Sequence, residues 1–298
     1  MHEFDICYKE VGDRKLLIDI LRPEKEEGKF PVVFYIHGGA WAWGSRQMLG
    51  NNLEHIANGL LENGIAVVCI QYRFCNRIFK QISRVLKLFK KKPIKGDHGP
   101  VNNRYPMPVV DSVDAIRFAV KNADKFNLDT DRMAIFGASA GANMSLLAAL
   151  CPEKFTENND LKDITFKFKC IGDICGPVDL DPKLPEYRKS LEGKMMIRNY
   201  LGKWSISLNI KKLRESSPIN YVRENLPPIG IFHSLQDELV PLANPHRIAK
   251  AWAEKGNIVE ETYVSGYDHS FDKRKDMEQS EPFPVIAKKV CDFIIKYI

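Results

Sequence analysis

The sequence predicts an α/β fold built on a mainly parallel sheet of about eight strands covered by helices on both faces. Two observations carry this. Continuous apolar runs at 31–36, 65–70 and 133–136 are what strands buried on both faces require. Between and after these runs lie segments of helical periodicity, the pattern of parallel strands joined by crossover helices. With 298 residues, 44% of them hydrophobic and 28% charged, the chain has enough material for one large core and an ordinary globular composition. No linker, repeat or low-complexity tract divides it. The expectation is one domain over 1–298, with insertions at 74–104 and 180–225.

Taken in order, residues 4–9 and 14–21 read as two short strands joined through Gly12-Asp13, a hairpin at a sheet edge. A charged loop leads to the strand at 31–36, which ends in His37-Gly38-Gly39-Ala40-Trp41. Leu49, Leu53, Ile56, Leu60 and Leu61 give a helix over 46–63, stopped by Asn63-Gly64. The strand at 65–70 runs into Gln71-Tyr72-Arg73. Val109, Val113, Ile116, Val120 and Phe126 form the apolar stripe of a helix over 109–126. Asp129-Thr130-Asp131-Arg132 turns the chain into the strand before Ser139. Further strands are expected at 168–174, 228–233 and 258–264, with helices at 243–255 and 284–297.

Charge and cysteine usage exclude several classes. The net charge is +6, yet the segment from Arg73 to Arg104 holds ten Lys/Arg against one acid, leaving the rest of the chain at −3. Basicity confined to one segment is no argument for a nucleic-acid partner. No uncharged apolar stretch approaches the ~20 residues of a membrane span. The N-terminus lacks the basic and apolar regions of a signal peptide. Seven scattered cysteines, with no C-x-x-C and no Cys/His cluster in sequence, read as reduced thiols in a cytoplasmic chain without a metal.

Chemistry enters at Gly137-Ala138-Ser139-Ala140-Gly141. This G-x-S-x-G pattern lies between an apolar strand and the small-residue stretch 142–149, the arrangement that places a serine hydroxyl at a sharp, exposed turn. A serine needs a base to take its proton, and the base needs an orienting acid. In this architecture they follow in the order Ser…Asp/Glu…His at the ends of late strands. Asp237, after the strand at 228–233, and His269, after the strand at 258–264, occupy those places. Glu238 and Asp268 compete as the acid. Glu238 points elsewhere on the same loop, and Asp268 is too close in sequence for its side chain to face His269. Asp237 is therefore preferred. Donors for an oxyanion are expected from the Ala140 amide, which follows the serine, and from Gly38, Gly39 and Ala40 on the loop after the early strand. Taken singly, the serine turn can be an ordinary strand–helix turn, Asp237 a helix-capping aspartate and His269 a surface histidine. Their order at successive strand ends favours the catalytic alternative.

Together these segments resemble an α/β-hydrolase esterase with an HGG-type oxyanion loop. That group includes hormone-sensitive-lipase-like carboxylesterases, bacterial acetylxylan and feruloyl esterases, and kynurenine formamidases. The resemblance spans roughly 15–73 and 105–298, and the H-G-G-x-W form is similar to the feruloyl-esterase and formamidase branches. Ala142 departs from the glycine many relatives carry there. The resemblance implies the α/β-hydrolase fold and a serine esterase forming an acyl-enzyme, with no metal or organic cofactor. It also implies short-chain acyl or hydroxycinnamoyl esters of carbohydrates as substrates. Arylformamidase, lipase and peptidase activities, or a non-catalytic binding protein, are the alternatives. The partner expected is a small-molecule or saccharide-linked ester; no motif specifies an oligomeric state. In the basic insertion, apolar positions on one face of 77–90 describe an amphipathic helix. It reads as a cap over the active-site mouth, ahead of a membrane-surface helix or an oligomer contact. Trp204 and Tyr200 mark the second insertion.

Overall fold

The computed structural model describes residues 2–24, 28–48, 53–75, 103–181, 183–185, 190–202 and 210–298. The amphipathic segment expected at 77–90, most of the insertion at 74–104, and Trp204 lie outside them. Eight strands form one sheet: β1 (Glu3–Val11), β2 (Arg14–Leu21), β3 (Phe30–Ile36), β4 (Ala66–Ile70), β5 (Leu128–Ala138), β6 (Cys170–Ile174), β7 (Ile229–Ser234) and β8 (Val259–Val264). Their order is β1-β2-β4-β3-β5-β6-β7-β8. β1, β2 and β4 pair antiparallel, and every other pairing is parallel. The helices are α1 (Glu54–Glu62), α2 (Met107–Lys121), α3 (Ala140–Leu150), α4 (Leu191–Leu201), α5 (Ile210–Glu215), α6 (Ala243–Glu254) and α7 (Phe283–Tyr297). This is the α/β-hydrolase fold.

The two-residue period of a strand sends alternate side chains to opposite faces, and β3 shows where they go. Val32, Phe34 and Ile36 enter a core shared with α2, α3 and α6, while Val33 and Tyr35 enter one shared with α1 and α7. A strand apolar on both faces has to be covered on both, and the helices divide accordingly. The reversal of strand order at β3 opens the sheet's carboxyl edge there, the place where such sheets hold their ligands.

Two helices are shorter than their apolar spacing predicts. The helix expected over 46–63 starts only at Glu54. Arg46 is instead drawn beneath the edge strands, where its guanidinium meets Asp19 at 2.9 Å and also pairs with Asp5. The helix expected over 109–126 ends at Lys121. Asn122 turns its side-chain amide onto the Phe118 carbonyl at 2.8 Å, offering the backbone a competing bond. Phe126 still reaches the core, but from a turn.

A buried ionic cluster ties the edge hairpin to the sheet centre. Arg73, just past β4, donates from Nε and Nη2 to the two Asp111 carboxylate oxygens at 2.7 Å each. Lys9 on β1 donates to Asp111 and Asp114 at 2.9 and 2.8 Å. Both aspartate side chains are fully buried. Removing one partner leaves uncompensated charge in a dry site, which typically costs about 3–5 kcal/mol. Asp111→Ala is expected to lower unfolding free energy by that amount in urea titrations; a loss below about 1 kcal/mol would contradict a buried, desolvated pair.

Candidate active site

Ser139 sits between β5 and α3 with φ 54° and ψ −120°, a conformation rarely held by a residue with a side chain. Neighbouring backbone holds it there: its amide donates to the Ile174 carbonyl at 2.7 Å, and its carbonyl accepts from Asn143 at 3.2 Å. The turn is tight enough that a Cβ at Gly141 would lie 2.0 Å from the Ile36 carbonyl oxygen. A glycine there lets α3 start against the end of β3. Ala142, the departure from the glycine-rich pattern, is fully buried with its methyl group accommodated.

The structure brings the three side chains together. His269 Nε2 lies 2.8 Å from Ser139 Oγ, and His269 Nδ1 lies 2.6 Å from Asp237 Oδ2. With the Nδ1 proton directed to the carboxylate, Nε2 is the acceptor for the serine hydroxyl. Asp237 Oδ1 accepts the amides of Leu239 and Val240 at 2.9 and 2.8 Å. Burial alone would raise the Asp237 pKa. The hydrogen bond and charge of His269, with His233 and the Val240 amide, outweigh it and hold the carboxyl below its ordinary range. Such a group is a persistent anion able to fix the His269 ring through its Nδ1 proton. The two rival acids are engaged elsewhere. Glu238 accepts from Arg274 at 3.1 Å, and Asp268 accepts the amides of Ser270 and Asp272 at 2.8 and 3.0 Å.

The loop after β3 is shaped by left-handed residues: Gly39 at φ 114°, Ala40 at 49° and Trp41 at 56°. A Cβ on Gly39 would lie 2.0 Å from the Trp43 carbonyl oxygen. The Gly39 carbonyl is occupied by the amides of Ala42 and Trp43 at 2.9 and 3.0 Å. Among the described residues no acceptor meets the amides of Gly38, Gly39 or Ala40. As the first residue of α3, Ala140 has an amide without an intrahelical acceptor. Gly38 passes close beside Ser139, whose Cβ would be 3.4 Å from a Cβ at Gly38. His37 anchors the loop: its Nδ1 lies 2.7 Å from the Gly38 carbonyl, and Tyr72 stacks on its ring at 4.3 Å while donating to the His37 carbonyl at 3.0 Å.

Two neighbours of Asp237 had no role in the sequence pattern. His233 Nε2 lies 3.4 Å from Asp237 Oδ2 and 3.2 Å from the Val240 carbonyl. Cys175, in left-handed backbone just past β6, brings its thiol beside the same carboxylate. The ligand atoms of Cys175, His233 and Asp237 lie within 4.8 Å of one another, a donor set chemically suited to a soft or borderline metal. A metal there would compete with His269 for Asp237. The four-residue spacing of His233 and Asp237 was visible in sequence; the approach of Cys175 depends on β6 lying next to β7.

The family model BD-FAE matches residues 18–81 and 99–251. The chain belongs to the BD-FAE family. This BD-FAE chain is 26% identical over 246 residues to the probable carboxylic ester hydrolase LipM of Mycobacterium tuberculosis, covering 81% of this chain and 49% of LipM. It is 26% identical over 270 residues to the esterase LipC of the same organism, covering 87% of this chain and 58% of LipC. It therefore spans about half the length of the curated relatives it matches. A truncated form of a carbohydrate esterase from gut microbiota superposes with a TM-score of 0.75 at 20% identity, over 100% of this chain and 96% of that one. Among the described residues, no helix is long and apolar enough to cross a membrane.

Two buried histidines give the site a pH signature. Burial lowers His37 and His233 from 6.5 to about 4, against the opposing Gly38 hydrogen bond at His37 and the Asp237 charge at His233. Between these values the unfolded chain binds protons that the folded chain does not, so stability falls as pH drops through that window. Each histidine contributes up to about 3 kcal/mol of loss. Asp173, pushed up to about 7 by burial, acts with the opposite sign, so the clean measurement is a difference. The stability advantage of the wild type over His233→Asn is expected to shrink by up to about 3 kcal/mol between pH 7 and pH 4 in urea unfolding. A pH-independent gap would contradict a neutral buried imidazole.

Proposed function

We propose that this chain is a carboxylic-ester hydrolase using Ser139 as nucleophile, His269 as general base and acid, and Asp237 as the orienting acid. The observation that carries the reading is the unbroken chain of contacts, 2.8 Å from Ser139 Oγ to His269 Nε2 and 2.6 Å from His269 Nδ1 to Asp237. His269 takes the hydroxyl proton as Ser139 Oγ bonds to the ester carbonyl carbon. The resulting oxyanion is met by amides of Gly38, Gly39, Ala40 and Ala140, worth on the order of 10²–10³ in rate per donor. The imidazolium then gives its proton to the departing alkoxide, leaving an acyl-enzyme. Water, deprotonated by the same imidazole, releases the acid and restores Ser139. No step calls for a metal or an organic cofactor.

The favoured substrates are short-chain acyl or hydroxycinnamoyl esters of carbohydrates. Support comes from the structural likeness to a carbohydrate esterase and from the compact H-G-G-x-W loop. We place the substrate under a cap drawn from the insertion at 180–225 within a single domain over 1–298. Supporting this, Met196 of α4 packs on Ala40 and Ala42, and Tyr200 stacks on Trp41 at 4.1 Å. A reducing, cytoplasmic setting is supported by seven free cysteines, six of them buried.

Ser139→Ala is expected to lower turnover of p-nitrophenyl acetate by at least about 10⁴-fold while leaving the circular dichroism spectrum unchanged. Turnover near the wild-type value would sink the assignment. A panel of acetylated xylan, methyl ferulate, N-formylkynurenine and a triglyceride separates the substrate classes, with the first two expected to be preferred.

A further inference from the structure

Helix α4 begins on the loop that carries Asp237. Ser190 caps the helix by accepting the Gly193 amide at 3.1 Å, and its hydroxyl donates to the Leu239 carbonyl at 3.4 Å. The amide of that same Leu239 donates to Asp237. Further along, Met196 packs against Ala40 and Ala42, and Tyr200 stacks on Trp41 with an interplanar angle of 6°. Positions four apart on a helix share a face. Glu192, Met196 and Tyr200 therefore form one row, laid across the site from the acid loop to the loop after β3. Glu192 occupies the end of that row nearest the Asp237 loop. Its carboxyl is half-buried and near enough to the His269 ring to interact with it electrostatically. Burial raises its pKa and the His269 charge opposes that rise. Among the described residues Glu192 makes no hydrogen bond or ion pair. A half-buried carboxyl within electrostatic range of His269 is left as an open acceptor.

The chemistry says which half of a substrate would meet it. His269 gives its proton to the departing alkoxide, so the alcohol half of the ester lies on the His269 side of the scissile bond. Building on the serine-esterase reading above, we infer that Glu192 is a specificity residue that accepts hydrogen bonds from hydroxyl groups of the alcohol half. Substrates whose leaving alcohol is a polyol or sugar are thereby favoured over simple alkyl esters. A carboxylate offers acceptors on both oxygens and can take two neighbouring hydroxyls at once.

The test compares methyl 3-O-acetyl-β-xylopyranoside with butyl acetate, which share an acyl group and differ in the hydroxyls of the alcohol half. Glu192→Gln keeps the shape and removes the charge; Glu192→Leu removes the acceptor. The ratio of kcat/KM for the sugar ester over butyl acetate is expected to fall about tenfold to a hundredfold in Glu192→Leu. A smaller fall is expected in Glu192→Gln, with the change concentrated in KM for the sugar ester. A ratio within about twofold of wild type in both variants overturns the inference, as does an equal loss on both esters, the mark of a residue acting through His269. Wild-type enzyme that cleaves butyl acetate but not the sugar ester also overturns it and leaves the esterase reading intact. Wild-type enzyme that cleaves neither removes the esterase reading itself.

Discussion

The start of α3 passes so close to the end of β3 that a methyl group at position 141 would lie 2.0 Å from the Ile36 carbonyl oxygen and 2.6 Å from that of His37. Everything at the site depends on this approach. It forces Ser139 into left-handed backbone at the apex between β5 and α3. It also brings Gly38, at the start of the loop after β3, close beside Ser139. Strain of this kind costs of order 1–3 kcal/mol and persists only where surrounding structure over-determines it. Here the determinants are the Ser139–Ile174 and Asn143–Ser139 backbone bonds, and the α2–α3 side of the core in which Ala140 and Met144 are buried.

Electrostatic arrangement extends the same logic outward. Asp237 is kept ionised in a dry place because two amides and the His269 hydrogen bond supply what water would have supplied. His37 and His233 are driven the other way, toward the neutral imidazole, by burial with too few compensating partners. One ring supports the loop after β3 and the other the acid loop. Farther out, the Arg73–Asp111 pair fixes the backbone next to Tyr72, whose hydroxyl holds the His37 carbonyl. A buried ion pair some distance from Ser139 is thereby joined to the loop through consecutive residues.

Much of this was legible in the sequence, for reasons that can be named. β3, β4 and β5 announce themselves because a strand covered on both faces has no polar alternation to blur it. Ser139, Asp237 and His269 are legible because each follows a strand in a topology that fixes their order. The start of α1 was not legible, because the pull of Asp5 and Asp19 on Arg46 is a contact between distant segments that apolar spacing does not encode. The end of α2 was decided by one side-chain bond from Asn122. His233, Cys175 and Glu192 escaped notice for a common cause. Their significance lies in what β6, β7 and α4 bring beside the Asp237 loop, and sequence distance hides it.

We propose that one hydroxyl, Ser139, is the activated nucleophile and that His269 activates it. Intact-mass and peptide analysis after exposure to a fluorophosphonate probe tests that claim directly. The expected result is one adduct per chain, located on Ser139, absent in Ser139→Ala and formed far more slowly in His269→Ala. Labelling on a different residue, or undiminished labelling of Ser139 without His269, would contradict it.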